Sequence, residues 1–172
     1  MSLTQVALLK KAELPTKTQI EKCINELGYK FEIHDNLEVL KDIDSLECTI
    51  NGHKTFFEIF YSQPDELIKD HGFIKKDLDD QDFVLWFVWG ANYAAGASIG
   101  LISVALIELC NALVYYLDDE MPYSKEMLIA DTPQFLEELE KENAISTHHE
   151  SQVSPKSTTN NGLWSKIKNL FN

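Results

Sequence analysis

The sequence predicts an α+β fold: a mainly antiparallel sheet of about five strands, with an N-terminal helix and a buried Ala/Gly-rich helix packed on it. Three stretches carry that prediction. Asn51-Gly52 stands between two β-prone runs, LECTI and HKTFFEIFY. YKFEIH alternates apolar and polar side chains. Residues 83–107, FVLWFVWGANYAAGASIGLISVALI, hold no charged side chain.

Residues 1–14 read as an N-terminal arm with a weak helical pattern through Val6, Leu8 and Leu9, ended by Pro15. A single domain follows over residues 15–142. Thr16 is placed to cap a helix whose Ile20, Cys23, Ile24 and Leu27 recur at helical spacing, and Gly28 fits its end. In YKFEIH, Tyr29, Phe31 and Ile33 point one way, as in a half-buried strand.

Both residues of a two-residue type I′ turn need positive φ, so Asn51-Gly52 marks a hairpin. Its register pairs Ile50 with His53, Cys48 with Thr55 and Leu46 with Phe57. Leu46, Cys48, Ile50, Phe57, Ile59 and Tyr61 then face the core. Phe56 and Phe60 lie on the opposite face with Glu47, Thr49 and Glu58. Two aromatics there mean partial cover by another element or an open binding patch.

SQPDELIKDHG reads as a short helix, with Ser62 or Asp65 as its cap and Gly72 as its stop. The uncharged stretch is long enough for a membrane span of about 20 residues. Three features oppose that reading. FVLWFVW is strand chemistry closed by Gly90, and Asn92 is a good cap for a helix after it. The flanks are acidic: Asp77, Asp79, Asp80 and Asp82 before it, Asp118, Asp119 and Glu120 beyond the next strand. The sheet also needs the strands that this region supplies. Trp86 and Trp89 have opposite parity, so both faces of the strand are covered and it lies centrally. Gly96 and Gly100 imply close packing of the helix on the sheet. SKEMLIADTPQFLEELEKE reads as a helix broken near Pro133.

Residues 143–161 have almost no large apolar residue and read as a flexible linker. Residues 162–172, GLWSKIKNLFN, form an amphipathic helical pattern with Trp164, Ile167, Leu170 and Phe171 on one face. Three destinations compete for this peptide: its own domain, a membrane interface, or a partner's groove.

The net charge is -13, with 28 acids against 15 bases. No nucleic-acid partner is expected from that balance, because phosphate binding needs a basic face. The three cysteines at 23, 48 and 110 have no CxxC spacing and read as core thiols in a reducing cytoplasm. Nucleophile-elbow, phosphate-loop, dinucleotide and HExxH patterns are missing. His148-His149 falls in the linker without a third ligand at metal spacing. No catalytic residue, metal ligand or cofactor is therefore assigned.

The leading functional expectation is a non-enzymatic protein-binding module. An inhibitor or immunity protein that neutralises a toxin or enzyme through an acidic surface fits it. The candidate contact residues are Phe56, Phe60, Asp118, Asp119, Glu120, Trp164, Ile167, Leu170 and Phe171. One alternative is a metal-dependent enzyme using the acids near strands 83–89 and 112–117. The other is a peripheral membrane protein tethered by residues 162–172.

Overall fold

The computed structural model describes residues 2–35 and 43–147. The C-terminal peptide with Trp164, Ile167, Leu170 and Phe171 lies outside the described residues, as does most of the stretch read as a linker. Ten main elements run along the chain: β1 Leu3–Leu9, α1 Lys17–Glu26, β2 Phe31–Ile33, β3 Ile43–Ile50, β4 His53–Ser62, α2 Pro64–Asp70, β5 Phe83–Trp89, α3 Tyr93–Cys110, β6 Leu113–Tyr116 and α4 Lys125–Thr147. Six strands form one sheet in the order β2-β3-β4-β5-β1-β6, and every pairing is antiparallel. The fold is α+β, as the sequence predicts.

The sixth strand is the correction at the N-terminus. The expected helical arm is β1, hydrogen-bonded between β5 and β6 in the sheet interior. Leu3, Ala7 and Leu9 face the main core, whereas Val6 and Leu8 face a second cluster on the other side. A strand buried on both faces shows a continuous apolar run and loses its period-2 signature. The short run Val6-Ala7-Leu8-Leu9 therefore fits either period.

Around α1 the local chemistry follows the sequence. The Thr16 side chain accepts from the Gln19 N–H, and the Gln19 side chain accepts from the Thr16 N–H, a capping box. Gly28 takes φ +97° just past the helix end, a backbone region open to glycine. The hairpin register matches the expected pairs, with Asn51 at φ +48° and Gly52 at +87°. The expected core face is buried from Leu46 to Ile59, while Tyr61 is half-buried and stacks on Phe83.

The uncharged stretch divides into β5 and α3. Asn92 caps α3: its Oδ1 accepts from the Ala95 N–H at 2.9 Å and from the Thr55 hydroxyl at 3.2 Å. One side chain thus starts the helix and ties it to the hairpin. α3 is the one described helix long and apolar enough to cross a membrane, and 83% of that window is buried inside the fold. It lies on one sheet face, with α1 and α4 packed on it. Trp89 belongs to that core and Trp86 to the opposite cluster, as their parity predicts.

Four expectations near the helices need correction. Gly96 and Gly100 face α4, not the sheet: a Cβ on Gly96 would meet the Phe135 ring, and one on Gly100 would meet Thr132. α2 is capped by neither Ser62 nor Asp65. Its cap position is Gln63, without a side-chain bond, and Pro64 opens the first turn, where a missing N–H costs nothing. Nor is Gly72 the stop. The helix ends at Asp70, and Gly72–Lys76 form a 3₁₀ turn. Finally, α4 is one element through Pro133 and runs to Thr147, into the stretch read as linker. Proline removes one helical N–H donor. Burial of Leu128, Thr132 and Phe135, on either side of it, keeps the helix in one piece.

Candidate binding surface

The two faces of the sheet are covered unequally. α3 and its neighbours close one face. On the other, α2 and the 3₁₀ turn place Leu67 and Ile74 over Val6, Leu8, Val84 and Tyr115. That cover lies on the β5-β1-β6 half. Trp86 is tied to the cover's edge by its indole N–H, which donates to the Ser62 hydroxyl at 2.7 Å. Phe60, paired with Trp86 across the strands, is half-buried as a result.

Phe56 sits beyond the cover. It is 65% exposed, on a ten-residue strand whose alternate residues are core. Around it, Glu47 is its cross-strand partner, Thr49 pairs with Lys54, and Glu58 pairs with Val88. His34 joins from the end of β2, with Nε2 2.8 Å from the Thr49 hydroxyl. His34, Glu47, Cys48, Lys54, Thr55 and Phe56 line an open cleft of about 440 Å³. The result is an aromatic side chain on a sheet half that no other described element covers, rimmed by exposed Glu32, Glu47 and Glu58 and by Lys54.

The free edge of this half is blocked. In β2 the Phe31 N–H donates to Asn25 Oδ1 at 3.2 Å, and the Ile33 N–H donates to Glu21 Oε1 at 2.8 Å. Asn25 also donates from Nδ2 to the Phe31 carbonyl at 3.2 Å. Side chains of α1 thus occupy the groups an added strand would need. What remains available on this half is its face, not its edge.

The other predicted contact residues do not join Phe56. β6 lies at the opposite end of the sheet from the β3-β4 hairpin. Beyond β6, Asp118 takes a bond from the Tyr116 hydroxyl and Asp119 one from the Tyr123 hydroxyl, while Glu120 is exposed. Asp77 receives the Tyr115 hydroxyl, and Asp80 pairs with Lys10. Asp82 Oδ1 accepts from the Lys11 N–H at 2.7 Å. Burial and these carboxylates together push Tyr115 and Tyr116 well above the ordinary tyrosine range. β5 and β6 each run antiparallel to β1 between them, so the two strands are parallel to each other. Asp82 at the start of one and Asp118 at the end of the other therefore stand at opposite ends of the sheet.

No group of three or more His, Cys, Asp or Glu side chains is arranged to hold a metal among the described residues. Cys48 borders the cleft, but burial pushes its thiol up to about 11, so at neutral pH it stays protonated and a poor nucleophile.

Sequence parity finds Phe56, Glu47, Thr49 and Glu58. It misses His34, Lys54, Trp86 and Val88, whose places depend on the β2-β3 and β4-β5 pairings. No family model matches the chain, and comparison with curated proteins and with solved structures finds no similar one.

Proposed function

We propose that this protein is a non-catalytic binding module that engages another protein through the open β2-β3-β4 face. The observation that carries the reading is Phe56: a large aromatic, 65% exposed, on a sheet face that α2 leaves bare. Aromatic anchors of this kind dominate protein interfaces, with a polar rim that excludes water around them. Glu32, Glu47 and Glu58 supply such a rim and favour a partner with basic side chains. The net charge of -13 adds long-range attraction for that partner. An inhibitor or immunity protein against a toxin or enzyme fits this combination.

The three cysteines are free, and the two buried ones are held as neutral thiols, which supports a reducing, cytoplasmic setting. The metal-enzyme alternative draws no support from geometry, because its carboxylates stand at opposite sheet ends and bind tyrosines, a lysine and backbone. Affinity capture with the full chain and its Phe56→Thr variant tests the proposal. The full chain retains one stoichiometric partner and the variant, still folded, releases it. Equal capture by both would remove the face from consideration.

A further inference from the structure

We infer that the Phe56 face has an occupant within the chain itself: residues 162–172 dock on it in cis. Three observations meet here. The first is where the described chain ends. Glu140 Oε1 lies 3.1 Å from His53 Nε2, so α4 passes the tip of the β3-β4 hairpin. Thr147 is about 10 Å further on at 1.5 Å per residue. Phe56 is three residues in from His53, about 10 Å along β4. The 14 residues 148–161 can span at most about 50 Å. α4 packs on α3, on the sheet face opposite Phe56, so the peptide would reach Phe56 by passing round the hairpin tip, which the span of residues 148–161 allows.

The second observation is chemical fit. The sequence of 162–172 places Leu163, Trp164, Ile167, Leu170 and Phe171 at helical spacing, the pattern that fills an apolar surface. The face offers Phe56 with Val88 and the flank of the Phe60-Trp86 pair. The third is charge. The peptide has Lys166 and Lys168 and no acid, on a chain of net charge -13. The face is rimmed by Glu32, Glu47 and Glu58. Lysine stems can lie along an apolar patch while their ammonium groups reach such a rim.

A second copy is the poorer occupant. It would bring Glu47 and Glu58 against their own images on two strongly acidic chains. The inference stands whether or not another protein uses the same face, and its test needs no partner.

The test is photo-cross-linking in the purified full chain at low micromolar concentration. Phe56 is replaced by p-benzoylphenylalanine, and the products are mapped by mass spectrometry. Docking in cis predicts a cross-link to residues 162–172 within monomeric protein. It also predicts a several-fold lower yield when Glu47→Lys and Glu58→Lys are added. Cross-links formed only between chains, or a tail recovered unmodified, overturn the inference. Hydrogen exchange gives an independent reading: amides of 162–172 exchange faster in Phe56→Thr than in the wild type, and equal rates overturn it. Added vesicles of anionic lipid should not slow those amides further. Protection that appears only with vesicles would assign the peptide to a membrane and reject docking.

Discussion

The ring of Phe135 lies where a side chain on Gly96 would have to go: its Cε1 is 2.8 Å from that Cβ position. α3 and α4 approach this closely because residue 96 has no side chain. Gly100, one turn on, has its nearest atom at 3.6 Å, an ordinary contact. Gly96→Ala should therefore destabilise by about 1–3 kcal/mol, since the added methyl would press on a buried ring and one of the two must shift. Gly100→Ala should be neutral or stabilising, by up to about 1 kcal/mol, because alanine is the better helix former. Urea midpoints of the two variants check the contrast.

Asn25 guards the sheet edge. Its side chain bonds both the N–H and the carbonyl of Phe31 and also the Glu21 carbonyl at 2.6 Å. Asn25→Ala should cost about 1–2 kcal/mol, from backbone groups left unsatisfied on a partly exposed edge. It should also promote self-association through β2. Sedimentation velocity across a concentration series reads the second effect, and a variant that stays monomeric would show that the guard is not needed.

Asn51 serves two functions. It supplies a positive φ to the turn, and its Oδ1 accepts from the Lys30 N–H at 2.9 Å, which fastens β2 to the hairpin. Asn51→Gly keeps the backbone freedom and the backbone N–H bond to the Lys30 carbonyl and loses only the side-chain bond, at about 0.5–1.5 kcal/mol. Asn51→Ala loses the side-chain bond and the backbone freedom and should cost about 1 kcal/mol more. Chemical denaturation of the pair separates the contributions.

Alkaline pH should unfold the protein by a defined route. Burial raises the Cys48 and Cys110 thiols from 9.0 to about 11. As pH rises past 9, the unfolded chain loses these protons first, so it binds fewer protons than the native state and stability falls. The contribution is fully present below pH 9 and is lost between 9 and 11, at about 3 kcal/mol for Cys48. Tyr115, Tyr116 and Tyr123 are also raised and extend the fall above pH 10. The urea midpoint should be flat from pH 7 to 8.5 and then decline, and Cys48→Ala should make the decline shallower.

What could be read from the sequence divides along a physical line. Local chemistry was legible: the Asn51-Gly52 turn sets a register, Thr16 and Asn92 start helices, and Gly90 ends a strand. Each acts over a few residues. The β1 strand was not legible, because both of its faces are buried and Val6-Ala7-Leu8-Leu9 shows no alternation. Pro133 misled for a related reason. Its local penalty is real, but tertiary burial of Leu128 and Phe135 outweighs it. At the surface, parity put Phe56 and Phe60 on one face. Only the placement of α2 made one half-buried and the other bare. Asp118, Asp119 and Glu120 were grouped with them by charge alone, and the strand order sets them apart.

The central claim is that binding runs through Phe56. Calorimetric titration of the captured partner against three full-length chains tests it most directly: wild type, Phe56→Thr, and Asp118→Asn with Asp119→Asn. Phe56→Thr should lose at least about 30-fold in affinity, the scale of an interface anchor worth about 2 kcal/mol. The double asparagine variant should show no change. Undiminished affinity in Phe56→Thr, with the loss appearing in the Asp118/Asp119 variant, would contradict the central claim.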